Sequence, residues 1–450
     1  MKNKVKEKEN EFQSLIKKLL QNIAEINILF PDSRTMGDFV TVDNKQLGLI
    51  AFGISRRITS ENASWILISR DEPLWNEVVA KLQDLRPNTF STQYIEKELD
   101  NLVWKYRSAG WQVSDISTDV IELINGMSNK QIESIKLYIP IYGLIVKASS
   151  FKIGDVEFVP RFKYPKLDEQ LKELEDTTKV QGSIGKIHTI AITIASGCDF
   201  DMILQNAEGK VNKALNLLRA VRYPIVTDSL LKQIGIIGTY YTLPKLYAFD
   251  ASQVHQNSLS TELCDISLSG VVDIVIDDHA IQVMFENAGL NKLGDLLISA
   301  HSPFERGLLR GAELLGEATK PDTIESKFLK VALAVDSMIG DEPSKDMTDK
   351  GVRARIAERS AFLLGNIYED RRKVYDDMRR FIDKRGGLAH GAPETISQWE
   401  TNKFGSYAIK ILIKLLLQAP AFRTIDDLAE WTLRESFRDS IVAVRGHEIK

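Results

Sequence analysis

The sequence predicts an α+β chain, a mixed α/β N-terminal region followed by an all-α helical bundle. Three observations carry this. Strand-like runs such as Leu137 to Val146 and Lys186 to Ala195 recur through the first 300 residues, with apolar residues clustered or alternating as a pleated strand requires. After His301 those runs stop, and helix-start signals with helically spaced apolar stripes take over. The chain has 450 residues, which exceeds one ordinary core, so two or three domains are expected. The expected division is a mixed helical and strand segment over 1–130, an α+β domain over 131–298 and the bundle over 299–450.

Apolar residues make up 44% and charged residues 27%, a globular and not a disordered balance. The apolar run Ile409 to Leu417 is interrupted by Lys410 and Lys414. It falls far short of the roughly 20 residues of a membrane span, so no membrane association is expected. Behind the N-terminal MKNKVKEKENEFQ no apolar segment follows; no signal peptide is expected, and the expected location is the cytoplasm. The two cysteines, Cys198 and Cys264, lie far apart without His neighbours at ligand spacing. They read as free thiols, with neither a metal nor another cofactor expected. A net charge of −4 excludes a strongly basic, non-specific nucleic-acid binder. From His301 onward, however, 25 Lys and Arg meet 24 Asp and Glu, so a polyanion approaches the C-terminal part more easily.

Residues 3–29 form an amphipathic helix by the spacing of Leu15, Leu19, Ile23 and Ile26, ended by Pro31 and Asp32. Strands with turns follow from Phe39 to Leu67, through FVTV, LGLIAFGI and SWILIS. Leu74 to Met127 is mostly helical, with a start at Ser91-Thr92 and breaks at Pro87 and Gly110. Leu137–Val146 and Phe151–Val159 read as a hairpin or two adjacent strands. In Lys186 to Ala195, His188, Ile190, Ile192 and Ile194 share a face. A helix spans about Phe200 to Val221, and strand signal returns at Gly235–Tyr241, Leu246–Phe249 and Val271–Ile276.

The helical part opens with Ser302-Pro303-x-Glu305, a cap, a first-turn proline and a capping-box acid. Asp322-x-x-Glu325 caps a second helix, ended by Gly340 and Pro343. A third runs from about Thr348 to Leu364. A fourth begins near Asn366 and passes through R-G-G-L-A-H, after which Pro393 punctuates. A fifth covers Ile396 to Gln418, and a short last helix starts near Thr424. This is a bundle of about five or six helices.

The fourth helix carries the candidate site. Val374, Met378, Phe381 and Leu388 form its apolar stripe, and Arg385 falls in the same register. Gly386 and Gly387 follow, each costing roughly 1 kcal/mol relative to Ala in a helix, and then His390. Local propensity fails here, as it does at functional sites.

Arg, four residues, then His near the end of a bundle helix resembles the motif of HEPN domains. F-E-R-G-L-L-R-G-A at 304–312, F-L-K-V-A-L-A-V-D at 328–336, R-A-R-I-A-E-R-S-A-F-L-L-G at 353–365 and the closing H-G at 390–391 resemble the Apea-like HEPN group, over roughly residues 295–440. HEPN nucleases often place Asn, Asp or His straight after the Arg; Gly386 stands there in this chain. The resemblance implies a metal-independent endoribonuclease with Arg385 and His390 as catalytic residues. It also implies an anti-phage, abortive-infection role, an N-terminal region that senses or restrains, a phage-derived trigger, and RNA, transfer RNA included, as target. Catalytic members of the family are dimers, so a homodimer with two motifs in one cleft is implied. Asp336, Glu358, Arg359 and Gly386 are implied as support.

The implied chemistry is physically reasonable. RNA supplies its own nucleophile, the 2′-OH. An imidazole, titrating near pH 6.5 when unperturbed, suits the proton transfers. A guanidinium forks two donors onto phosphate oxygens. The products carry a 2′,3′-cyclic phosphate and a 5′-OH. Residues five apart on a regular helix point about 140° apart, so Arg385 and His390 of one chain converge only where Gly386-Gly387 distorts the helix.

Blander readings stand beside these. Arg385 pairs with Asp383 or Glu394, and His390 stabilises a helix C-terminus. Arg379, Arg380 and Lys384 offer an RNA-binding face. Yet Glu369, Asp370, Asp376, Asp377 and Asp383 interleave with the basic run from Arg371, as in a paired, solvated helix face. Asp199-Phe200-Asp201 reads as an N-capping loop. Gly182 to Lys186 departs from phosphate-loop spacing, and Asp277-Asp278-His279 reads as a turn after a strand. The rival functional class is a non-catalytic HEPN dimerisation or adaptor module that binds a partner protein.

Overall fold

The computed structural model describes residues 12–24, 54–60, 63–68, 71–110, 116–177, 187–222, 234–236, 246–248, 254–256, 274–300, 302–320, 322–340, 351–391, 395–418 and 422–447. The expected strand FVTV, most of LGLIAFGI, the Gly182–Lys186 segment, Cys264, Pro343, Pro393 and Glu394 lie outside them. The chain is α+β, mixed in its N-terminal part and helical in its C-terminal part. It divides into two compact units, residues 1–135 with 195–206, and residues 136–194 with 207–450.

The first unit holds α1 (residues 12–24), a hairpin of β1 (Ile54–Ser60) and β2 (Ala63–Ile68), and then α2 (Glu72–Leu85), α3 (Thr92–Ser108) and α4 (Ile116–Asn129). Helical spacing buries Ile16, Leu19, Leu20 and Ile23 of α1 in one core with Trp75, Leu82, Leu99 and Val120. Ser91 caps α3, its hydroxyl accepting from the Tyr94 amide.

The second unit contains a sheet in the order β10-β9-β3-β7-β6-β5, with β8 also on β3. Its strands are β3 (Glu133–Tyr142), β5 (Phe151–Ile153), β6 (Val156–Pro160), β7 (Thr189–Gly197), β8 (Gly235–Ile236), β9 (Leu246–Ala248) and β10 (Val254–Gln256). β4 (Leu144–Val146) pairs in parallel with β11 (Ile274–Ile276). The two apolar runs 137–146 and 151–159 therefore do not pair with each other. The hairpin is internal to the second run, β5 with β6, turned at Gly154 with φ +61°. Between β6 and β7, α5 (Pro165–Thr177) is tied to the chain before it by the buried Arg161, which pairs with Asp168. In β7, Ile190 and Ile192 are buried, but Ile194 of the same expected face is exposed.

Helix α6 (Phe200–Arg222) is capped by Asp199, whose carboxylate accepts from the Met202 amide at 3.0 Å. Asp277 likewise accepts from the Ala280 amide at 2.8 Å and starts α7 (Asp278–Gln282); the Asp-Asp-His cluster is thus a helix start. A π-helical turn, Val283–Asn287, leads into α8 (Leu290–Ser299). That helix lies just before the expected start of the helical part. It lacks a side-chain cap, starting from Gly289 at φ +74°, so its entry carries no polar signature.

Among the described residues six helices follow: α9 (Pro303–Ala318), α10 (Ile324–Ile339), α11 (Val352–Leu364), α12 (Tyr368–Ala389), α13 (Gln398–Gln418) and α14 (Ile425–His447). The Ser302–Glu305 capping box forms as expected. The cap of α10 is Thr323, one residue later than expected, because Asp322 instead accepts from the Thr323 amide and the Ser326 hydroxyl. The last helix is long, 23 residues, where a short one was expected. At the centre, Phe328, Phe381 and Phe404 from α10, α12 and α13 meet with no exposure, ring centroids 5.0–6.2 Å apart.

Helix α9 packs most extensively on α10, and glycines allow it. A Cβ on Gly307 would overlap the Ser337 carbonyl oxygen, and one on Gly311 would overlap Met338. At its far end α9 meets α6, where a Cβ on Gly316 would overlap the Asn216 carbonyl. Asn216 also donates to Glu317, which holds Lys320. Buried Arg219 bridges from Asn216 to the Ile234 carbonyl beside β8. This polar chain ties the bundle to the sheet within the second unit.

Candidate active site at the end of helix α12

Helix α12 starts with Glu369 and Asp370 in its first turn, where negative charge is favourable. It buries Val374, Met378, Phe381 and Ile382. The helix then runs unbroken through Gly386 and Gly387 to Ala389, with His390 as its C-cap. The expected distortion at the glycine pair is absent. The ladder closes instead in a tight last turn, in which the His390 amide donates to the Gly386 and Gly387 carbonyls at 3.2 Å each. Gly391 at φ +73° takes the left-handed position that ends many helices.

Because the helix stays regular to Ala389, Arg385 and His390 do not converge within one chain. Among the described residues no hydrogen bond or ion pair joins them. Arg385 Nη2 instead lies 2.7 Å from Asp336 Oδ2 of α10, both side chains partly exposed at 34% and 25%. Of the two local partners in the blander reading, Asp383 instead bonds Arg353 at 2.7 Å, and Glu394 lies outside the described residues. Partial burial pushes the Asp336 carboxyl above its ordinary range, while Arg385 pulls it the other way. With one edge on Asp336, the guanidinium keeps further N–H donors for a phosphate. The His390 side chain is exposed at the surface.

The supporting residues separate by role. Asp336 touches Arg385 directly. Arg359 is buried, and its Nη1 donates to the Ile339 carbonyl at 2.7 Å; it fastens α11 to the end of α10, three residues beyond Asp336. Glu358 is half-buried on α11. Gly386 has nothing within 4 Å of an added Cβ. Gly386→Ala is therefore expected to stabilise α12 by about 1 kcal/mol, seen as slower amide exchange in its last two turns. Unchanged or faster exchange would refute this.

Of the expected RNA-binding cations, Arg379 is exposed. Arg380 pairs with Asp377 at 3.1 Å and stacks over Phe381. Lys384 holds the Thr395 carbonyl at 2.9 Å and Glu400 at 2.8 Å. Arg372 pairs with Asp376 at 2.9 Å, so much of this face is the paired, solvated kind. Asp377, buried on α12, also accepts from Tyr407 at 2.9 Å and from Lys403 at 2.6 Å. Only the Arg380 pair is local to α12; the other two partners lie on the next helix, where no spacing along α12 marks them.

Lys384 and the Ser397 bonds pull the Glu400 carboxyl down to about 2. Glu400 therefore contributes stability that is complete above its ordinary value of 4.5 and is lost as pH falls towards about 2. Glu400→Gln is expected to be less stable than wild type at pH 7, the gap closing across that acid window. A gap that stays constant in urea titrations from pH 7 to pH 2.5 would refute this.

Among the described residues, no helix is long and apolar enough to cross a membrane. The chain matches no family model, no curated protein and no solved structure.

Proposed function

We propose that the C-terminal bundle is a HEPN-type, metal-independent endoribonuclease, and that the protein is an anti-phage, abortive-infection effector acting in the cytoplasm. The observation that carries this reading is the geometry of the α12 terminus. Arg385 is oriented by a carboxylate from a neighbouring helix, and an exposed imidazole sits at the cap of the same helix. The angular separation of the two favours a site completed by a second copy, with the two motifs facing each other across a homodimer.

In that site His390 accepts the 2′-OH proton as the O2′–P bond forms, and Arg385 binds the charge growing on the phosphate. The P–O5′ bond breaks, and the leaving oxygen takes a proton from an imidazolium. The products are a 2′,3′-cyclic phosphate and a 5′-OH. Asp336 keeps the guanidinium in place.

The same Arg385–Asp336 pair favours a second reading, because it also fixes α10 against α12 in a module that only binds a partner protein. Incubation with total RNA in EDTA, beside Arg385→Ala and His390→Ala, separates the two. Cleavage that survives EDTA and vanishes in both variants supports the nuclease. Equal integrity of RNA in all three samples, in cells challenged with phage as well as in vitro, leaves the adaptor.

A further inference from the structure

Trp399 is the most exposed tryptophan side chain of the bundle's described residues, at 61%. Tryptophan is highly buried on average, and its amphipathic ring suits it to binding surfaces. Its mount is rigid. Ser397 Oγ accepts from the Glu400 amide at 3.2 Å, and Glu400 Oε2 accepts from the Ser397 amide at 3.1 Å. This capping box fixes the first turn of α13, where Trp399 stands. Lys384 clamps that turn from α12 through Glu400 and Thr395.

The same bonds set the level of the ring. Asp377 meets Lys403 and Tyr407, while Lys384, further along α12, meets Glu400. The two helices thus run antiparallel, and Trp399 lies level with Lys384 and Arg385. Lys403 Nζ stands 4.9 Å from the Trp399 ring centroid. Arg380, Lys384 and Lys403 give this helix pair one positive charge more than Asp377 and Glu400 remove.

We propose that Trp399 is a stacking platform for a nucleobase of single-stranded RNA next to the phosphate held by Arg385. The proposal rests on the ribonuclease reading for the position of that phosphate. An exposed ring beside cations on a preorganised turn is the arrangement that tracks single strands, since every base has a face to stack. Stacking of this kind tolerates sequence, so selection among RNAs falls to the exposure of an unpaired strand.

The test uses the full chain carrying His390→Ala, so that RNA is bound and not cut, with fluorescein-labelled hexauridylate as probe. Anisotropy is expected to show about tenfold weaker binding for Trp399→Ala, and near-parental binding for Trp399→Phe. In the active protein Trp399→Ala raises KM about as much and leaves kcat nearly unchanged. Equal affinity of Trp399→Ala and its parent overturns the platform, as does a parent that binds no oligonucleotide. Sedimentation that shows Trp399→Ala falling to a smaller oligomer assigns the ring to a protein interface and also overturns it. Weaker oligonucleotide binding by Trp399→Ala, together with a wild type that never cleaves RNA, sinks the nuclease reading alone and leaves the platform standing.

Discussion

Replacing His390 by alanine is expected to slow RNA cleavage by roughly 10²–10⁴-fold, the usual worth of a positioned proton-transfer group. The fold should be untouched. His390 is exposed, and its hydrogen bonds among the described residues come from its backbone amide, which alanine retains. Arg385→Ala is expected to cost about 10²–10³-fold, as loss of a preorganised charge on a phosphate does. Arg385→Lys should recover little, because an ammonium cannot bond Asp336 and fork onto phosphate together. Rates from single-turnover cleavage of a labelled RNA check these values. An Arg385→Lys enzyme as fast as wild type would refute the fork, and a His390→Ala enzyme within a few-fold of wild type would refute the imidazole's role.

The second large effect is on stability. Phe381 is fully buried between Phe328 and Phe404, with centroids at 6.2 Å and 5.0 Å. Phe381→Ala removes a ring from the point where α10, α12 and α13 meet, and its cost is about 3–5 kcal/mol. Edge-to-face and tilted ring contacts add to the simple burial. Amide exchange along α12 is expected to accelerate at least ~10²-fold, the ratio that corresponds to about 3 kcal/mol. An increase below about tenfold would mean that the cluster repacks around the gap. Since Arg385 lies one turn beyond Phe381, this variant should also lose the ordered Arg385–Asp336 pair.

Local signals were the legible ones. Ser302, Pro303 and Glu305 announce the start of α9 within four residues, and the structure forms that box. Ser91, Asp199 and Thr424 act as caps for the same reason. Whatever depends on distant pairing was hidden. The choice between Asp383 and Asp336 as partner of Arg385 is made by the approach of α10, which no spacing along α12 encodes. The hairpin at Gly154 and the separation of β3 from β5 likewise follow from which strand arrives beside which. Glycines misled in the opposite sense. Gly386 and Gly387 suggest a distorted helix end by propensity, yet buried Phe381 and Ile382 and the closing turn at Gly391 keep the helix regular through them. Trp399 carried only a faint sign, its place inside Ser397-x-x-Glu400, and the helix was expected to begin earlier, at Ile396.

The glycine seam between α9 and α10 has a genetic consequence. Gly307 and Gly311 bring α9 against Ser337 and Met338, the two residues that follow Asp336. A side chain at Gly307 must push the α10 backbone outwards, and one at Gly311 must displace Met338 and crowd the Ala334 carbonyl, so the carboxylate that meets Arg385 moves with α10. If the proposed ribonuclease arrests growth on expression, a screen for survivors should therefore return alleles at these two codons beside those at Arg385 and His390. Such alleles would look like active-site losses in the phenotype while sitting more than 70 positions away in the sequence.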